Sequence, residues 1–529
     1  MPSYRITISR PSTLPPLVDW AQTVVAPNQD QAIGGAYQNW VNSDPTPAAP
    51  PLSLCRVSAR PSAQAMMLSA AAVSPAQQAY INDLQSQVGT FLASKLDGAF
   101  SVVNYPAGFN YGITYGSNAY YNPATLKDID TLLGISSSGQ LELTGAGFSN
   151  LYAQILPAVT FNFSQADQQT MNAQDTAASS QIASVLQEFQ NAGGSFSTPL
   201  PLGGKLQDVF NQLTKLYGSL DKIPDTLNAL RNAVASYKAS AANSYALHNR
   251  QYAATARIAA AVANTVKPDA NNGGMQTDNA KFYVGYTPEK LPSANQLLGS
   301  LATASNAVTV AISLSNFSST NSNFSVSGGT SFNIPIASIL NISIGASASY
   351  DLSRYTSSSS QVAINITYPG VTLFSSTPSV LSTDNSTGWY AADILEGVIA
   401  NTGRDATGYQ LQGSEFNIPD EFGPGKAFSR LKTFVISQQP TVTMTFSAAD
   451  VSKITSDLQV GAKINVSLFG IFSLGSASSS YSVQKVDTSS QSGSVTVTFG
   501  PPQVSGTIPL QQQVAFVLGG VASYPPNNV

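Results

Sequence analysis

Two stretches of this chain carry the same period-two alternation, and a duplicated alternation of that length confines the C-terminal half to antiparallel sheet. The first runs from Ser331 to Tyr368 and the second from Ile464 to Phe499. Tyr350 corresponds to Tyr481, and Ile364 and Ile366 correspond to Val495 and Val497. Successive side chains of a strand point to opposite faces, so alternation marks a strand with one apolar and one polar side. In the first copy Phe332, Ile334, Ile336, Leu340, Ile342, Ile344, Ala346, Ala348, Tyr350 and Leu352 share even parity. Asn333, Asn341, Ser343, Ser347, Ser349 and Asp351 take the odd positions. Pro335 lacks an amide donor, which predicts two collinear strands rather than one. A serine-rich turn at Tyr355–Gln361 then leads to Val362, Ile364, Ile366 and Tyr368, and Pro369-Gly370 stops the run. A shorter alternating strand opens each copy, at Val308–Ser313 and Val442–Ser447. Tyr350 and Tyr481 lie 131 residues apart, too far for a solenoid repeat. That spacing fits two related β domains or two halves of one sheet system.

Three uses of such a pattern are open. The apolar stripes can be the inner faces of a β sandwich. They can instead face lipid, since a barrel-forming hairpin needs apolar and polar residues in strict alternation. Or the strands can pair between copies of the chain. Ile342, Ile344, Ala346, Ala348, Tyr350, Leu352, Val362, Ile364 and Ile366 therefore form a candidate membrane-inserting or assembly hairpin. The Ser/Thr-rich alternation over 331–368 resembles the insertion regions of aerolysin-like β-pore-forming toxins. That resemblance implies an oligomer whose hairpins enter a membrane. The second copy departs from the pattern: Leu468, Phe469, Ile471 and Phe472 are apolar on both faces, as in a strand buried on both sides.

Upstream, the periodicity changes. Residues 1–62 form an irregular Pro-rich segment with an early strand at Tyr4–Ser9. Residues 63–266 read as a mostly helical domain. Ser74-Pro75 pairs a favourable N-cap with proline at the first helical position, and Leu84, Val88, Phe91 and Leu92 follow at helical spacing. A bundle is expected over 164–266: one helix from a Ser164 cap to Gln190, a second from Lys205 to Leu220, and a third from Asp225 to Val266. A polar connector covers 267–300, the first β unit 301–372, an inter-unit segment 373–440 and the second β unit 441–529. The expected class is multidomain α+β, with an N-terminal helical portion and a C-terminal all-β, sandwich-like region built from two related antiparallel units.

Composition narrows function by exclusion. Only 10% of the 529 residues are charged, against about 25% in an average soluble protein. Ser, Thr, Asn and Gln carry the surface, which favours self-association into a homo-oligomer. The net charge of −4 and the lack of basic clusters argue against nucleic acid. One cysteine, Cys55, rules out a disulfide framework, and one histidine, His248, rules out a two-imidazole metal site. His248 reads as a packed or solvated ring. No nucleophile elbow, zinc-helix or phosphate-loop motif occurs. Paired carboxylates among the 28 acidic residues stay open. The N-terminus lacks the charged start and apolar core of a signal peptide, and no apolar run is long enough to span a bilayer. The chain is thus expected in the cytoplasm, or released by a non-classical route to act outside the cell. The leading expectation is a non-enzymatic, cofactor-free, oligomer-forming protein that acts on membranes. The alternative is a self-assembling structural or adhesive surface protein, with a cell-surface glycan as partner, given 22 tyrosines and abundant amide side chains.

Overall fold

The computed structural model describes residues 3–9, 20–25, 29–42, 56–61, 74–104, 108–111, 123–135, 140–196, 202–277, 280–287, 294–303, 305–344, 348–413, 415–469, 472–473, 481–489, 493–501 and 514–526. The chain divides into two compact units, each assembled from separated stretches. One comprises Met1–Leu151, Gly274–Ser379 and Pro419–Val529, and the other Tyr152–Gly273 and Val380–Ile418. The class is mixed α+β. Strands begin at Ser3–Ser9, and helices occur as late as Val451–Asp457.

In the first unit both repeat copies build one sheet of eleven described strands. Its order is Phe332–Pro335, Asn321–Val326, Val308–Ser315, Gln361–Tyr368, Thr441–Ser447, Ser494–Gly500, Tyr481–Ser489, Lys463–Leu468, Leu340–Ile344 and Ala348–Asp351. Phe472–Ser473 pairs off Lys463–Leu468. The two openings occupy equivalent places: Val308–Ser315 pairs with Gln361–Tyr368, as Thr441–Ser447 pairs with Ser494–Gly500. The copies then join directly, Gln361–Tyr368 to Thr441–Ser447 and Leu340–Ile344 to Lys463–Leu468. Of the two arrangements left open by the repeat, the chain uses halves of one sheet.

Parity is obeyed strictly where the strands are central. Val308, Val310, Ile312 and Leu314 face one core with Val442, Met444, Phe446, Val495, Val497 and Phe499, while Thr309 and Ser313 are exposed. The helix Pro75–Phe91 contributes Ala76, Tyr80, Ile81, Leu84 and Val88 to that core. Its start is fixed by a capping box: Ser74 Oγ accepts from the Gln77 amide at 3.3 Å, and Gln77 Oε1 accepts from the Ser74 amide at 2.8 Å.

The expected hairpin is not the one the chain forms. Phe332–Pro335 ends at its proline, and a 3-10 turn, Ile336–Ser338, redirects the backbone. Leu340–Ile344 then folds back on Ala348–Asp351, with Ile342 opposite Tyr350 and Ile344 opposite Ala348. Gln361–Tyr368 pairs elsewhere. Directly opposite residues of an antiparallel pair share a face. A hairpin that places 342 opposite 350 therefore keeps even positions on one side through its turn, and writes the same parity as a straight strand.

A second sheet of seven described strands comes from the first unit's flanks. Arg430–Ser437 pairs with Val514–Ser523 and also, through Arg430 and Leu132, with Thr131–Ile135. Leu141–Gly147 and Phe100–Asn104 complete the circuit back to Val514–Ser523, so these strands close into a small barrel. A separate three-stranded sheet joins Trp20–Val25, Ser3–Ser9 and Arg56–Pro61.

The second unit is a helical bundle with a two-stranded ribbon. Its helices are Gln165–Ala177, Ser179–Asn191, Leu202–Tyr217, Asn228–Ser240 and Ala242–Val266. The expected single helix from Ser164 breaks at Ala178, and the expected long helix to Val266 breaks at Ala241. Both alanines are buried among the bundle's apolar side chains, so tertiary packing sets breaks that no glycine or proline announces. Ile182, Val185, Phe189, Leu206, Val209, Phe210, Leu213, Leu230 and Val234 fill this core. The ribbon pairs Val159–Asn162 with Gly408–Leu411. Among the described residues no helix is long and apolar enough to cross a membrane.

Candidate functional site

The candidate hairpin residues do not converge on a surface site. Ile342, Leu352, Val362, Ile364 and Ile366 are all 1% exposed or less, inside the core of the large sheet. Ile344, Ala348 and Tyr350 are placed by backbone register alone, and Ala346 lies outside the described residues. In the second copy Leu468 and Phe469 are both buried, as their unbroken apolar run predicts; Ile471 lies outside the described residues.

A recess of about 490 Å³ lies in the helical unit, within the usual range for small-ligand sites. Phe161, Asn162, Phe163, Gln168, Gln251, Arg404, Asp405, Gln410 and Gln412 line it. The ribbon supplies its floor. Tyr409 stands opposite Phe161, and Gln410 opposite Thr160. Asn162 and Gln410 therefore share one face, with Gln412 continuing it. A side chain at Gly408 would collide with Asn401, so glycine is what lets the ribbon meet the end of helix Ala392–Asn401.

The loop before the ribbon's second strand is stapled to helix Gln165–Ala177. Asp405 Oδ1 accepts from the Gln165 amide at 2.7 Å, and Thr407 Oγ1 accepts from the Ser164 amide at 2.8 Å. Ser164 Oγ caps the helix by accepting from the Asp167 amide at 3.2 Å. These bonds fix Gln168, one turn further on, at the edge of the recess.

Inside, the amides form a relay. Gln412 Nε2 donates to Asn162 Oδ1 at 3.4 Å, Asn162 Nδ2 donates to Gln410 Oε1 at 3.2 Å, and Gln410 Nε2 donates to the Ala406 carbonyl at 2.9 Å. The side-chain amides of Gln168 and Gln251 have no hydrogen-bond partner among the described residues, and neither has the Arg404 guanidinium. Phe161 meets Phe163 and Tyr409 edge-to-face, each at 5.9 Å between ring centres. Arg250 lies over the Phe161 ring at 5.9 Å and forms no ion pair among the described residues. The recess thus offers planar donor-acceptor amides and one cation on an almost wholly polar lining. Its single wall carboxylate, Asp405, is already engaged by a backbone amide.

These residues escape sequence reasoning because they lie on short elements with no long periodicity. Asn162 stands out only as part of an Asn-x-Ser triplet. The alternation Phe161-Asn162-Phe163 and Tyr409-Gln410-Leu411-Gln412 is the available signal, but the two pieces are more than 240 residues apart.

Two further polar clusters are internal. In the helical unit His248 is 4% exposed, edge-on to Phe210. Its Nε2 lies 3.4 Å from Asp175 Oδ2, and its Nδ1 contacts Gln207 Oε1. Burial pushes the Asp175 carboxyl up, but hydrogen bonds from His248, Ser244 and Tyr237 outweigh it and hold the group below the usual carboxylate range. In the first unit Asp130 Oδ1 accepts from Tyr286 Oη at 2.7 Å and the Ser149 amide at 3.1 Å, and Oδ2 accepts from Ser149 Oγ at 2.7 Å. Arg430 is fully buried nearby, donating to Ser376 and lying over the Tyr286 ring at 5.2 Å. Burial raises the Asp130 carboxyl to about 6 despite those hydrogen bonds and the Arg430 charge. Comparison with protein-family models, with curated proteins and with solved structures finds no match to this chain.

Proposed function

We propose that this chain is a non-enzymatic, adhesive glycan-binding protein that holds saccharide in the recess of its helical unit. The carrying observation is the almost wholly polar lining: five amide side chains, of which Gln168 and Gln251 have no partner among the described residues. A sugar presents adjacent hydroxyls that each donate and accept, and an amide answers both roles from one planar group. Binding without cleavage follows from the wall's acid count. Glycoside hydrolysis takes two carboxyl groups in most families, and Asp405 stands without a second among the described residues of the recess.

The membrane-inserting reading of 331–368 draws no support from the fold. Val362, Ile364 and Ile366 sit on a strand bonded on both sides, and lipid exposure would require that strand to leave the core. Self-association fits the adhesive reading. Ala348–Asp351 ends the described path of the large sheet, and edge pairing between copies would multiply weak sugar sites by avidity.

A panel of immobilised neutral and acidic saccharides tests the proposal. Wild type is expected to retain a subset. Gln251→Ala and Gln168→Ala should each weaken retention roughly fivefold or more, the scale of one lost hydrogen bond. Retention of no saccharide, or retention by both variants equal to that of the wild type, would overturn it.

A further inference from the structure

We infer that the recess selects an acidic sugar, a pyranose bearing a carboxylate, and that Arg404 receives that carboxylate; this rests on the glycan-binding reading. Three observations carry it. Arg404 lines the recess and its guanidinium has no acid partner among the described residues, although its own loop carries Asp405 and is bonded through Thr407 to Asp167. Those carboxylates are already committed: Asp405 takes the Gln165 amide at 2.7 Å, and Asp167 takes the Thr407 hydroxyl at 2.5 Å. A second cation, Arg250, sits over the Phe161 ring without an ion pair among the described residues, which adds positive potential beside the aromatic wall.

The geometry of the group matters as much as its charge. A guanidinium presents a rigid fork that matches two carboxylate oxygens, and such charge-assisted pairs are about twice as strong as neutral ones. A neutral sugar would leave that fork hydrated and gain only the amide contacts. The amides of Gln168 and Gln251 then take hydroxyls, so the ligand is fixed by its carboxylate at one end and its hydroxyls at the other.

The test is calorimetric titration of the full chain with galacturonate, glucuronate and N-acetylneuraminate, each beside its methyl ester, and with galactose and glucose. The acids are expected to bind at least about tenfold more tightly than their esters, on the scale of a charged hydrogen bond. Arg404→Gln should erase that preference, so that each acid binds no more tightly than its own ester. Arg404→Lys should keep part of the preference, because charge is retained and the fork is lost. Acids and esters bound equally by the wild type, or an acid preference that survives Arg404→Gln, would overturn the inference and leave glycan binding standing. Binding of neither acids, esters nor neutral sugars would overturn the glycan-binding reading itself, and this inference with it.

Discussion

The buried carboxyl of Asp130 makes the first unit sensitive to pH in a direction opposite to that of a salt-bridged acid. Asp130 titrates at about 6 in the folded chain, against an ordinary 3.8, because burial disfavours its charge. Between those values the folded state holds a proton that the unfolded chain has released. The stabilisation is complete below pH 4 and is lost as pH rises through 6. At about 1.4 kcal/mol per pH unit over which the proton counts differ, this one group removes about 3 kcal/mol between pH 4 and 7. Asp130→Asn removes the titration and keeps the geometry. Its carbonyl oxygen still accepts from Tyr286 and the Ser149 amide, and its NH2 can donate to Ser149 Oγ in place of accepting from it. A chain of two units need not unfold in one step, so the assay must be local. Hydrogen exchange of the amides in 131–147, measured for both proteins at pH 4, 5, 6 and 7, reports the opening of that sheet. Relative to wild type, the variant should gain about 3 kcal/mol as pH rises across that range. A difference that stays flat refutes desolvation of the carboxyl. A difference that grows against the variant refutes the sign, and shows Arg430 holding Asp130 ionised.

Other substitutions test the sheet assignments. Ile364→Ala empties a fully buried position between two bonded neighbours and should cost about 2–5 kcal/mol, whereas Asn365→Ala on the exposed face should stay within about 0.5 kcal/mol by chemical unfolding. Equal effects would reverse the parity of that strand. Gly370 has φ +67°, and an added Cβ there would collide with the Leu301 carbonyl; Gly370→Ala should therefore lower the unfolding midpoint far more than Gly328→Ala, where φ is +74° but the space is open. Dye release from lipid vesicles is expected to stay at the buffer level, since Ile342, Leu352, Val362, Ile364 and Ile366 of the candidate hairpin lie in the core; release abolished by Asn365→Cys crosslinked to Thr443→Cys, its cross-strand partner, would restore an inserting role to that strand.

What the sequence discloses, and what it hides, divides by range. Side-chain parity is local, so the inward face of Val308–Ser315, Gln361–Tyr368, Thr441–Ser447 and Ser494–Gly500 is legible from the residues alone. The Ser74 cap is legible for the same reason, because its partner Gln77 is three residues away. Strand partners are not legible. The even parity of 332–352 continues through a 3-10 turn and a reversal, so it looks identical for a straight strand and a folded hairpin. The helix breaks at Ala178 and Ala241 come from packing, since alanine is the best helix former by propensity. The recess is least legible of all. Its floor joins 159–162 to 408–411, and its walls come from two helices and a loop. Apart from Arg404 and Asp405, each contributing residue is an ordinary glutamine, asparagine or phenylalanine, and only their convergence distinguishes them.

The central claim is that saccharide occupies the recess of the helical unit, and carbene footprinting with the tightest-binding sugar of the panel tests it most directly. Labelling of the full chain with and without that sugar should show protection at Phe161, Phe163, Gln168, Gln251 and 404–412, with the outward face of Thr309, Asn365 and Thr443 unchanged. Protection confined to that sheet face, with the recess labelled equally in both states, would contradict the account.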